Sequence, residues 1–76
     1  VIASEIKPGV VYRYTGYMSK TFATEGGALY LVTRMIEGGV EGAHEFMHLD
    51  GPNAGKIAQT PILLVERWIR NYEVVQ

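Results

Sequence analysis

Apolar residues in the first sixty positions fall into short runs with a two-residue period, broken by glycine and proline; after residue 60 the period lengthens. Pro8-Gly9 precedes the run Val10-Val11-Tyr12-Arg13-Tyr14, whose β-branched and aromatic residues predict a strand. Residues 28–36 (ALYLVTRMI) predict the longest strand. There Leu29, Leu31, Thr33 and Met35 share one face, and Tyr30, Val32, Arg34 and Ile36 share the other. Apolar groups on both faces put this strand at the centre of a curved sheet. Residues 37–42 form a glycine-rich turn, and Asp50-Gly51-Pro52-Asn53-Ala54-Gly55 a second tight one. Between them, residues 43–49 read as a strand with Ala43, Glu45, Met47 and Leu49 on one side and His44, Phe46 and His48 on the other. Residues 56–59 make a short candidate strand.

The segment 15–27 is polar but carries two aromatics, Tyr17 and Phe22; it reads as a long loop, with room for a short strand near residues 20–23. The C-terminal part changes character. Thr60 suits an N-cap and Pro61 the first helical position. At 100° per residue, Ile62, Leu64, Val65, Trp68, Ile69 and Tyr72 gather on one face, while Glu66, Arg67, Arg70 and Asn71 take the other, with Leu63 the exception. A helix over residues 61–70 follows, supported by an i, i+4 pair of Glu66 and Arg70. Residues 72–75 can return as a last short strand. The expected fold is mainly β, a small SH3-like barrel or a bent antiparallel sheet of four to five strands, with one short C-terminal helix. The pattern Pro8-Gly9-x-x-Tyr12-Arg13-Tyr14-x-Gly16, with a late Trp68-Ile69-Arg70, is loosely similar to such barrels.

Seventy-six residues make one small domain near the lower limit for an unaided core, and a 47% apolar composition supplies the material. Seven basic against eight acidic residues leave a net charge of −1, so nothing pulls the whole chain towards nucleic acid or an anionic membrane. No apolar run approaches the roughly 20 residues of a membrane span, and the opening residues do not read as a signal peptide. The chain does not start with Met, which points to processing or trimming. Without cysteine, any metal would fall to two histidines and the carboxylates. A cytoplasmic setting is the default expectation.

One segment carries a chemical signature. His44-Glu45-Phe46-Met47-His48 spells H-E-x-x-H and contains both histidines. On a helix the two rings would share a face and one zinc, and Glu45 would polarise its water. The following residues resemble the longer metzincin pattern H-E-x-x-H-x-x-G-x-x-H, but Ala54 stands at the third ligand position and cannot coordinate. Glu66 is the substitute available to a minimal zinc hydrolase built on His44 and His48. Such a site also needs a sheet and at least two helices around it, for which 76 residues leave little chain. Read as a strand, the segment holds its histidines about 13 Å apart, too far for one zinc. The strand reading is therefore preferred, with no metal and no cofactor. Gly51-Pro52-Asn53-Ala54-Gly55-Lys56 glances at a phosphate loop, but its spacing is one residue short and Ile57 replaces the required hydroxyl; a hairpin turn accounts for it.

Aromatic and cationic residues interleave at Tyr12, Arg13, Tyr14, Tyr17 and Lys20, and at Arg67, Trp68, Arg70 and Tyr72. Such stations hold peptides or single-stranded nucleic acid on small barrels. Alternation assigns Tyr12, Tyr14 and Trp68 to the core, which leaves Tyr17, Phe22, Arg67 and Arg70 as the candidate binding residues. The functional expectation is a non-enzymatic accessory or regulatory module that docks on another protein. Nucleic-acid binding is the first alternative and the zinc hydrolase the second. Homodimerisation through a sheet edge would add burial to a marginal core.

Overall fold

A computed structural model describes residues 1–16, 28–60 and 65–75. Five strands form one antiparallel sheet: β1 (Val11–Tyr14), β2 (Leu29–Met35), β3 (His44–His48), β4 (Ile57–Gln59) and β5 (Tyr72–Val74). Their spatial order is β4-β3-β2-β1-β5. The first four strands run as a meander, and the last returns to the outer side of β1. β2 is thus the central strand, as its two apolar faces required. The sheet is bent but not closed: β4 and β5 are its two edges among the described residues, which selects the bent sheet over the barrel.

One face of the sheet packs the core. Tyr12, Tyr30, Val32, Phe46 and Tyr72 point to it and are at most 5% exposed. Helix α1 (Val65–Ile69) covers this face with Val65 and Ile69, while Trp68 is half-buried against the core. The N-terminal segment covers the rest with Ile6, Val1 and Ala3, the last in a short 3-10 turn (Ala3–Glu5). It is laced to the C-terminal part, since the Val1 nitrogen donates to the Ile69 and Tyr72 carbonyls. Aromatic rings supply much of the contact: Tyr12 stacks on Tyr72 at 5.2 Å and Tyr14 on Trp68 at 4.5 Å.

Three sequence expectations need correction. The ladder between β2 and β3 shifts register between Val32 and Arg34. This bulge reverses the alternation beyond Thr33, so Met35 packs against the core instead of sharing the face of Leu29 and Leu31. Arg34 correspondingly turns out to solvent. Ala43 lies before the strand proper and is buried, not on the side of Glu45. Glu66 and Arg70 make no ion pair with each other; the ion pair formed among the described residues joins Arg34 to Glu45 at 3.0 Å. The proposed helix start at residues 61–64 and the 15–27 loop beyond Gly16, with Tyr17 and Phe22, lie outside the described residues.

Candidate interaction surface

His44-Glu45-Phe46-Met47-His48 is strand β3, with burial alternating along it. The geometry that H-E-x-x-H needs for zinc is a helical turn. On this strand His44 and His48 face the core four residues apart, about 13 Å along an extended backbone. Glu45 points to the opposite face, where it accepts hydrogen bonds from Thr33 Oγ1 at 2.8 Å and Arg34 Nε at 3.0 Å. Glu66, the substitute ligand, is an exposed residue of α1. Among the described residues no three His, Cys, Asp or Glu side chains gather closely enough to hold a metal ion.

The inward histidine has a structural occupation instead. His44 is fully buried. Its Nδ1 lies 2.8 Å from the Gly42 carbonyl, which can only accept, so Nδ1 carries the hydrogen. That leaves Nε2 as an acceptor, 3.1 Å from the Tyr72 hydroxyl. The same hydroxyl accepts from Trp68 Nε1 at 2.6 Å. The bonds form one directed chain: Trp68 N–H to Tyr72 O–H, Tyr72 O–H to His44 Nε2, and His44 Nδ1–H to Gly42. It ties β3, β5, α1 and the β2–β3 turn together. Burial lowers the His44 pKa, against a smaller upward pull from the Gly42 carbonyl, and keeps the ring neutral as the chain demands. Burial likewise pushes the Tyr72 hydroxyl well above its ordinary range, so it stays a donor.

Of the four candidate binding residues, Arg67 is exposed on α1 and Arg70 is exposed just past its end, while Tyr17 and Phe22 fall outside the described residues. Among the described residues, the aromatics that interleave with cations do not form an exposed platform: Tyr12 and Tyr72 are buried, and half-buried Trp68 and Tyr14 stack on each other. Arg70 instead borders a groove of about 680 Å³ whose floor is Val65 and Ile69 and whose rim includes Ile2, Val40, Glu41 and Glu66.

The feature that single-strand reasoning missed is on the sheet's other face. In register, Val11 stands opposite Leu31, Leu31 opposite Met47, and Met47 opposite Ile57. One residue past β5, Val75 donates its N–H to the Val11 carbonyl and lengthens the row. Val75-Val11-Leu31-Met47-Ile57 is therefore an unbroken apolar line across all five strands. Leu29 and Leu49 widen it, with the Leu49 N–H bonded to the Leu29 carbonyl. Ile57, Val75 and Leu49 are 51%, 41% and 40% exposed, while Val11, Leu29, Leu31 and Met47 are half-buried. Charge flanks the line on both sides: Arg13 opposite Glu73, and Arg34 bonded to Glu45. Helix α1 and the N-terminal segment lie on the far side, so among the described residues no element covers this face. Each strand shows its own outward apolar residue in the sequence, but only strand order and register join them into one surface.

No helix among the described residues is long and apolar enough to cross a membrane. Comparison with known proteins finds no matching family model, no matching curated protein and no matching solved structure.

Proposed function

We propose that the chain is a non-enzymatic interaction module that docks on protein through the outer face of its sheet. The observation that carries this reading is the five-strand apolar row, Val75-Val11-Leu31-Met47-Ile57, flanked by charged pairs. A contiguous apolar line with a polar rim is the arrangement of a docking surface, whereas isolated exposed apolar residues mean little. The residues that suggested chemistry support the same reading. His44 spends both ring nitrogens on structure, and Glu45 is held by Thr33 and Arg34. The docking surface is thus on the sheet rather than at the exposed Arg67 and Arg70. A cytoplasmic setting goes with this reading, since a chain without cysteine needs no oxidising compartment.

The test is capture of partners by immobilised protein, comparing wild type with Met47→Lys and with Arg67→Glu/Arg70→Glu. A partner retained by the arginine variant and lost by Met47→Lys supports the sheet face. A partner lost only with the arginines moves the site to α1, and the reading then fails.

A further inference from the structure

We infer that residues 1–5 form an acid-released strap: proton uptake by buried His44 frees this segment from the core face while the five-stranded sheet stays folded. The strap lies on the side of the sheet opposite the docking face, and its release is independent of that face.

The hydrogen-bond chain through His44 runs in one direction and has no place for a second ring proton. Nδ1–H already donates to the Gly42 carbonyl at 2.8 Å, so a new proton must sit on Nε2. There it meets the Tyr72 hydroxyl, 3.1 Å away, which donates to Nε2 and accepts from Trp68 Nε1 at 2.6 Å. To accept from both rings the hydroxyl must turn its own hydrogen aside, and among the described residues it has no further partner to receive it. The imidazolium would also be fully buried, with no carboxylate among the described residues paired to it. A buried, unpaired charge is strongly unfavourable, so the closed form gives way when the proton binds.

The neighbouring groups do not relieve it. β5 brings Tyr72 and β2 brings Tyr30, phenols that burial holds protonated. β1 adds Tyr12, and β3 adds His48, about 13 Å farther along the same face. Thr60, just past β4, bonds the His44 backbone at both its N–H and its carbonyl. α1 turns Glu66 and Arg67 to solvent. The strap carries the Val1 ammonium and Glu5, and the β2–β3 turn carries Glu41 on the groove rim. Burial lowers the His44 pKa from 6.5, which sets the opening below that pH.

The strap is the cover most easily moved. It belongs to no strand. The Val1 nitrogen fastens it to the Ile69 and Tyr72 carbonyls, and the Glu5 carbonyl accepts from the Tyr12 hydroxyl at 3.2 Å. By contrast, β3 and β5 sit in hydrogen-bonded ladders and α1 is anchored by Val65 and Ile69. Ala3 of the strap lies directly over Gly42, where an added Cβ would come within 3.0 Å of the Ala3 Cβ. Lifting the strap therefore wets the Gly42 carbonyl that holds His44 Nδ1, and opens the ring's charge to water beside Glu41.

NMR of the full chain, taken from about pH 7.5 to about pH 4.5, tests the inference: imidazole nitrogen shifts report the His44 proton, and amide shifts with hydrogen exchange report the strap. The expected result is that the amides of residues 2–5 move to unfolded-chain shifts with the same midpoint as the His44 proton. The Val32 and Phe46 amides keep their shifts and protection. Tyr72→Phe takes the donor from Nε2 and so disfavours the neutral ring, which moves the midpoint to higher pH. Glu5→Gln and His48→Gln leave it in place. A strap that stays closed across the range overturns the inference, whether or not His44 takes the proton. So does a midpoint that changes with Glu5→Gln or His48→Gln, since the proton then acts elsewhere. Loss of protection at Val32 and Phe46 together with the strap overturns it too, because that is global unfolding.

Discussion

Tyr72→Phe removes one oxygen atom and leaves the rest of the fold in place, so it isolates the polar chain through the core. The Phe ring keeps the stack on Tyr12, 5.2 Å between centroids, and the packing beneath α1. What disappears is the donor to His44 Nε2 at 3.1 Å and the acceptor for Trp68 Nε1 at 2.6 Å. His44 is 0% exposed, so no water reaches its orphaned nitrogen, and a buried unsatisfied acceptor costs about 1–3 kcal/mol. Trp68 is half-buried and has further interactions, so its lost bond adds about 0.5–1 kcal/mol. The sum is roughly 1.5–4 kcal/mol. A domain of 76 residues has about 4–11 kcal/mol in total, so this one atom holds a large share. Urea denaturation followed by far-ultraviolet circular dichroism reads the loss as a lower midpoint at unchanged slope. In a thermal scan it corresponds to a fall of roughly 6–32 °C. His44→Leu in the Tyr72→Phe background should cost much less than His44→Leu alone, because the two groups act as a pair. A Tyr72→Phe chain within about 0.5 kcal/mol of wild type would refute the reasoning, since it would mean that water already satisfies His44.

Other consequences follow from single residues. Gly42 has φ +87°, and a Cβ there would meet Ala3 at 3.0 Å and Ile69 at 3.3 Å, so Gly42→Ala strains both backbone and packing and should cost about 1–3 kcal/mol in the same urea assay. Stability should depend on pH through His44. Its pKa is lowered in the folded chain from the ordinary 6.5, so below pH 6.5 the unfolded state binds the proton first. The contribution is therefore complete above pH 6.5 and is lost as pH falls towards the folded value, with a slope of at most about 1.4 kcal/mol per pH unit from this one group. A His44→Leu chain should lack that component of the pH profile. Asp50 Oδ1 accepts from the Ala28 and Leu29 amides at 2.8 and 2.9 Å, which clamps the β3–β4 turn to the start of β2; Asp50→Ala should cost about 1–3 kcal/mol and raise hydrogen exchange at Leu29.

The strands are legible in the sequence because alternation is a local property. Tyr12 and Tyr14 turn inward with their run, and His44, Phe46 and His48 share the buried face that the strand reading assigned to them. The inward face of α1 is legible for the same reason, through the spacing of Val65, Trp68 and Ile69, whereas Tyr72, which the helical spacing also put on that face, belongs to β5. The H-E-x-x-H segment shows the value of that local argument: the motif's chemistry depends on helical spacing, and the flanking glycines and alternating burial deny it. The bulge at Thr33 is illegible, because nothing in ALYLVTRMI marks where the ladder slips, and Met35 was assigned to the wrong face in consequence. The polar chain Trp68–Tyr72–His44–Gly42 joins residues up to 30 positions apart and needs tertiary placement. The apolar row is illegible for a different reason. Val11, Leu31, Met47 and Ile57 are unremarkable one at a time and form a surface only once strand order puts β1, β2, β3 and β4 side by side.

That surface is the centre of the account, and methyl-resolved NMR during titration with a captured protein measures it most directly. The account predicts shifts at the methyl groups of Val11, Leu31, Met47, Ile57 and Val75, with Val32, Val65 and Ile69 of the buried side nearly unmoved. Shifts confined to Ile2, Val40 and the α1 groove would contradict it.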